Sequence, residues 1–145
     1  MDCLPKGEEK LDKDKIRILL LCVGNACRSQ MAEGFARKLG GDRIEVFSAG
    51  SHPAGFVAPN AIAVMKEIGI DISGQRSKGF ADIPHKEFDY VISLGCRDVC
   101  PIYPAKEKID WEIEDPIGQP IEVFRNVRDN IAVKVKTFIE EHVSS

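Results

Sequence analysis

Short apolar runs alternate with longer amphipathic ones along this chain. Ile16 to Leu21 is nearly continuous in apolar side chains, the pattern of a strand buried on both faces of a parallel sheet. Arg28 to Leu39 carries Met31, Phe35 and Leu39 at helical spacing, which predicts a helix with a core-facing stripe, stopped by Gly40-Gly41. Ile44 to Ser48 predicts a second strand, and Ala49 to Gly55 has the composition of a loop. Pro59 to Ile68 predicts a second helix: proline in the first turn, Ala61, Ile62, Met65 and Ile68 on one face, and Gly69 as the stop. Phe88 to Leu94 is rich in β-formers and predicts a third strand, and Lys108 to Trp111 a short fourth strand at an edge. Ile121 to His142 predicts a long helix whose apolar face is Phe124, Val127, Ile131, Val135, Phe138 and Ile139. No internal repeat or low-complexity tract interrupts the order.

Strand and helix alternate, so the predicted class is α/β with a parallel sheet. A length of 145 residues suits one domain with one core. Met1 to Lys15 is charged and aperiodic, and is expected to be a flexible N-terminal extension before a single domain over residues 16–145. Ligands in such sheets bind beyond the carboxyl ends of the strands. Cys22, Cys96 and Asp115 each follow a predicted strand end, so three chemically apt residues share one rim.

Charge narrows the partners. Twenty basic against 23 acidic residues give −3, which advertises neither nucleic-acid nor anionic-membrane binding. No apolar run approaches the roughly 18–20 residues of a membrane span. No apolar core follows the charged start, so no secretory signal is predicted and a cytoplasmic location is the expectation. The chain has five cysteines, an odd count that in a cytosolic chain reads as reactive or metal-binding rather than as structural bridges. Four fall in two close pairs, Cys22/Cys27 and Cys96/Cys100, and Cys3 is expected to be an incidental thiol.

The densest chemistry lies between the first strand and the first helix, in Cys22-Val23-Gly24-Asn25-Ala26-Cys27-Arg28-Ser29. A tight loop entering a helix turns backbone N–H groups toward one spot, and the helix dipole favours negative charge there. The residues Val23 to Ser29 therefore form a candidate oxyanion cradle, and Cys22 sits beneath it. Arg28 can fold back to grip two oxygens of a tetrahedral anion with its planar fork. Cationic surroundings favour thiolate over thiol, which makes Cys22 a candidate nucleophile.

A C-x5-R-S loop after a first strand resembles the low-molecular-weight protein tyrosine phosphatases. The longer string Gly24-Asn25-Ala26-Cys27-Arg28-Ser29-Gln30-Met31-Ala32-Glu33-Gly34 resembles the thioredoxin-coupled arsenate reductases built on that fold. Ser48-Ala49-Gly50 with Pro53 and Gly55 is similar to a loop after that family's second strand, and Asp71-Ile72-Ser73 resembles its next cap and short helix. The resemblance runs from about Ile16 to the C-terminal helix. It implies a single-domain three-layer α/β/α fold with a four-stranded parallel sheet in the order 2-1-3-4.

The resemblance also implies roles. Asp115, fixed in direction by Pro116, matches the general acid that protonates a departing oxygen. Cys22 attacks arsenate, Cys96 attacks the Cys22 sulfur as arsenite leaves, and Cys100 attacks Cys96. The Cys96–Cys100 disulfide then goes to thioredoxin for reduction. These two cysteines are closer in sequence than in many relatives, which leaves a glutaredoxin–glutathione route open. Gly95 is a candidate hinge, and the segment from Gly95 to Pro104 is expected to change shape on oxidation. Cys27 is expected to pack or to protect Cys22. Asn25 and Ser29 are expected to hold the loop, with Ser29 donating to the Cys22 thiolate. Some relatives bind potassium through residues matching Asn25, Glu33 and Ser48 plus an acidic residue near Lys78. No residue from Ser77 to Gly79 is acidic here, so a lysine ammonium is the expected substitute. No metal or cofactor is expected, and a monomer is.

Two other readings compete. A tyrosine phosphatase shares the loop and Asp115-Pro116, but Ile117-Gly118 stands where tyrosines often flank a phenyl ring in that family. A zinc module would use the two cysteine pairs, whose spacings approach those of structural zinc sites. Arg28 beside Cys22 opposes a cation there.

Overall fold

The structure is a computed structural model and describes residues 15–84, 87–95 and 104–143. Four strands, β1 (Ile16–Cys22), β2 (Ile44–Gly50), β3 (Phe88–Leu94) and β4 (Ala105–Trp111), form one parallel sheet in the order β2-β1-β3-β4. Among the described residues three α-helices accompany them: α1 (Arg28–Gly40), α2 (Pro59–Glu67) and α3 (Ile121–His142). The α/β class and the strand order match the expectation.

β1 is central and buried on both faces, which is why its sequence lacks alternation. Ile18 and Leu20, with Ile92 of β3, belong to the cluster that takes in Met31 and Phe35 of α1 and Phe124, Val127, Ile131 and Val135 of α3. Leu19 and Leu21 belong to a second cluster with Ala49, Phe88 and Val91 on the other face. Phe80 and Ile83 pack against that cluster, so the segment around the 3-10 turn Phe80–Asp82 serves as the far layer. Gly34 lets α1 approach its neighbours; a Cβ there would stand 2.8 Å from Ile72 and 3.2 Å from Met65.

Register places the chemistry. Cys22 ends β1 opposite Gly50 of β2, Leu21 lies opposite Ser93 of β3, and Leu94 lies opposite Trp111 of β4. The strands thus finish together, and Cys22, Gly95 and the chain after Trp111 emerge on one rim.

Several local expectations are corrected. Leu39 is 37% exposed, because residues four apart drift by about 40° per step around an α-helix and Leu39 has turned about 80° from Met31. Ile68 is also exposed: α2 ends at Glu67, and Val64, three residues after Ala61, fills the buried face beside Met65. β4 starts at Ala105 rather than Lys108. Its first half, Lys106-Glu107-Lys108, is exposed, since an edge strand needs no apolar side chains where it meets water. Asp71 to Ser73 is a turn rather than a short helix, with Asp71 Oδ1 accepting from Ser73 N at 2.9 Å and Ser73 Oγ at 2.6 Å. Of the expected extension only Lys15 lies within the described residues. Among those residues no helix is long and apolar enough to cross a membrane.

Ile131 is fully buried and Val133, two residues on, is 64% exposed. Ile131→Ala should lower the free energy of unfolding by about 2–5 kcal/mol, and Val133→Ala by less than about 0.5 kcal/mol, in urea titrations. Equal effects would contradict the orientation of α3.

Candidate active site

The loop after β1 is shaped from outside. Val23 O accepts from His52 N at 2.8 Å, Gly24 O from Ala54 N at 2.9 Å, Ala26 O from Ala58 N at 2.8 Å, and Cys27 O from Met31 N at 2.9 Å. Asn25 O accepts from the Gln30 side chain at 2.9 Å. In a trans peptide the N–H points away from the C=O that precedes it. Five carbonyls bound on the outside therefore turn the N–H groups of Gly24 to Arg28 inward. None of those N–H groups has an acceptor among the described residues. A cavity of about 250 Å³ opens there, with Cys22, Cys27, Arg28 and Asp115 in its walls. Closing the ring needs Asn25 in the left-handed region, at φ 46°. It also needs a glycine at the end of β2, since a Cβ on Gly50 would stand 2.5 Å from Val23 O and 2.8 Å from Asn25 N.

Cys22 is buried at the base of this cavity, its Sγ 2.9 Å from Ser29 Oγ. Ser29 Oγ already receives Asn25 Nδ2 at 2.7 Å, so its own hydrogen is free to donate to sulfur. The Arg28 guanidinium is buried; Nη1 donates to Ile113 O at 3.2 Å, and Nη2 lies 3.5 Å from Asp115 Oδ2. Asp115 is half-exposed at the rim, and its Oδ1 accepts from Ile117 N at 3.1 Å, which aims the carboxyl. Gly95, at φ 84°, packs directly on Arg28: a Cβ would collide with Nη1 and stand 2.8 Å from Ile113 O. A thiol, an arginine and a carboxyl thus converge on a cradle of inward-facing N–H groups. Residues 17–144 match the low molecular weight phosphotyrosine protein phosphatases.

The chain belongs to that family. Its relatives include the glutaredoxin arsenate reductase of Synechocystis sp., 45% identical over 126 residues that span 85% of this chain and 95% of that one. A solved arsenate reductase in the phosphate binding state superposes with a TM-score of 0.79 at 42% identity, covering 89% of this chain and 99% of the other. The thioredoxin-dependent arsenate reductase of Corynebacterium glutamicum superposes with a TM-score of 0.69 at 33% identity, over 97% of this chain and 70% of its own.

In this phosphatase-family site Cys27 is buried beside Cys22. Burial, and then the charges of Cys22 and Asp115, push the Cys27 thiol well above its ordinary range against the pull of Arg28. Cys27 therefore stays protonated at neutral pH. Behind the loop, Glu33 accepts from Ser48 Oγ at 2.6 Å and pairs with Arg37 at 2.6 Å. Lys78 Nζ lies 3.4 Å from Ser48 Oγ, 3.9 Å from Glu33 Oε1 and 2.7 Å from Arg76 O. Burial lowers the Lys78 pKa and Glu33 partly opposes it. An ammonium stands among these oxygens, and such a set does not fit a potassium ion. Cys96 and Cys100 lie outside the described residues. Sequence reasoning missed Gln30 and Gln75 as site residues. A buried glutamine in the first turn of α1 was the available signal, but its partners, 46 and 45 residues away, were not visible.

Gly95→Ala forces a side chain into Arg28. Its affinity for phosphate or arsenate, read by calorimetry, should fall at least about tenfold, close to 1.4 kcal/mol. Unchanged affinity with the fold intact would contradict the contact.

Proposed function

We propose that this chain is an arsenate reductase. The supporting observation is the convergence of Cys22, the inward N–H groups of Gly24 to Arg28, and Arg28 itself, with Gly95 packed on that arginine. Gly95 directly precedes Cys96, the proposed second thiol, in the sequence. The relatives that carry the name arsenate reductase supply the substrate.

The reaction follows from these parts. The cradle and Arg28 bind three arsenate oxygens and stabilise the charge that builds on them. The Cys22 thiolate attacks arsenic in line with the fourth oxygen. Asp115, on the far side, gives that oxygen a proton so that it leaves as water. Cys96 then attacks the Cys22 sulfur. The sulfur–arsenic bond breaks, its electron pair stays on arsenic, and arsenite departs from a Cys22–Cys96 disulfide. Cys100 attacks Cys96 and releases Cys22 as thiolate, the good leaving group that its hydrogen bond from Ser29 favours. Arsenate gains two electrons, and two thiols become one Cys96–Cys100 disulfide.

A dithiol protein must reduce that disulfide. Thioredoxin and glutaredoxin are both candidates, since the two relatives above carry one name each. The proposed setting is the cytoplasm, where thiols are kept reduced, and the proposed active unit is the monomer. Phosphate shares the shape and charge of arsenate, so a slow aryl phosphatase activity is expected as well. Phe56 and Ile117, both exposed and apolar, line the cavity where an ester group would emerge.

Single-turnover arsenite formation by reduced protein, with thiols counted before and after, tests this reading. Parent protein should yield one arsenite per chain and lose two of its five thiols. Cys22→Ser and Cys96→Ser should yield none. Aryl phosphate hydrolysis without arsenite, and with all thiols retained, would make the chain a phosphatase.

A further inference from the structure

The loop is held by a line of side-chain amides that the mechanism above does not use. Gln30, Asn25, Ser29 and Ser48 are all fully buried, so no water can substitute for a lost partner. Asn25 Oδ1 faces two donors, Gln30 Nε2 at 2.9 Å and the backbone N–H of Lys78 at 2.7 Å. Asn25 Nδ2 faces two hydroxyls, Ser29 Oγ at 2.7 Å and Ser48 Oγ at 3.0 Å. Ser48 gives its own hydrogen to the Glu33 carboxylate at 2.6 Å, so toward Asn25 it can only accept. Ser29 likewise accepts from Asn25, and its hydrogen is left for Cys22 Sγ at 2.9 Å.

The line of bonds continues further out. Gln30 Nε2 meets three acceptors: Asn25 O and Asn25 Oδ1, both at 2.9 Å, and Arg76 O at 2.8 Å. Gln30 Oε1 accepts from Gln75 Nε2 at 2.7 Å, and the same Nε2 reaches Gln30 O at 3.0 Å. Each amide therefore has one orientation only. The donor sense runs from Gln75 to Gln30, Asn25, Ser29 and finally the sulfur. Gln30 also holds Asn25 in its left-handed backbone conformation by taking the Asn25 carbonyl.

We propose that Gln30 is a positioning residue of the active site: beside the Lys78 N–H, which sets which way the Asn25 amide faces, it holds that amide and the Asn25 carbonyl in place, and through Asn25 keeps the Ser29 hydroxyl donating to Cys22. The inference rests on the reading of Cys22 as the attacking thiolate. It does not depend on which oxyanion is turned over.

Gln30→Glu tests it with little change of shape. The introduced carboxylate would face two oxygens of Asn25 where donors are needed. The repulsion pulls Asn25 off its place against the hold of the Lys78 N–H, Nδ2 is drawn away from Ser29, and the Ser29 hydroxyl is no longer pinned toward the sulfur. The readout is alkylation of Cys22 by iodoacetamide, followed by peptide mass spectrometry across a pH series, so a failure here is distinct from a failure to make arsenite. Gln30→Glu should slow Cys22 alkylation about tenfold at neutral pH, the scale of one hydrogen bond to a charged group, with rates converging on the parent's at high pH. In a Ser29→Ala background the same substitution should add less than about twofold, since the effect passes through that hydroxyl. A parent-like pH profile in folded Gln30→Glu protein, or a full tenfold effect persisting without Ser29, would overturn the proposal. If circular dichroism shows that Gln30→Glu does not fold, Gln75→Leu, at a half-buried position, frees the Gln30 amide instead. It should shift the profile in the same direction by about threefold, and a parent-like profile in that variant would overturn the proposal equally.

Discussion

A trans peptide cannot send its carbonyl and its N–H the same way. That constraint organises this molecule. The carbonyls of Val23 to Cys27 are each taken from behind, by backbone N–H groups of the chain after β2, by the Gln30 side chain and by α1. The N–H groups of the next residues are thereby committed to the inside, where they find no acceptor among the described residues. The cradle is held open by hydrogen bonds made elsewhere, so its shape does not wait for a ligand.

The rest of the fold reads as support for that arrangement. β1 is buried on both faces, which fixes where Cys22 ends. The parallel register brings Gly50 level with Cys22, close enough that only glycine fits. α1 begins at Arg28 and carries Ser29, Gln30 and Glu33 in its first two turns, so the residues that tune the loop are set by the helix that leaves it. The chain after β4 supplies Ile113 O and Asp115 to Arg28, and Gly95 closes against the same guanidinium. Arg28 is therefore the point where the oxyanion loop meets the strand ends that lead to the proposed acid and the proposed second thiol.

What could be read from the sequence follows the range of the interactions. β1, β3 and α3 were legible because burial pattern is local: continuous apolar runs for the strands, helical spacing for the long helix. The Cys22-to-Ser29 loop was legible because its chemistry lies within eight residues. Leu39 and Ile68 misled because spacing alone does not reveal where a helix turns from the core or ends. Half of β4 was hidden by its solvent-facing lysines. The amide chain through Gln30, Gln75 and Lys78 was illegible for a different reason. Its bonds close over separations of 45 to 53 residues, and nothing local marks a glutamine as a partner of a distant carbonyl. The expected relay cysteines, Cys96 and Cys100, fall outside the described residues and rest on chemistry and resemblance.

The cradle itself is best tested by amide resonances. Isotope-labelled, reduced protein titrated with arsenate, or with phosphate as a non-reducible analogue, reports each N–H separately. The amide protons of Gly24, Asn25, Ala26, Cys27 and Arg28 should move downfield together along one saturation curve, as new acceptors arrive. Saturable binding that leaves those five unmoved while shifting amides elsewhere would contradict a cradle of inward-facing N–H groups.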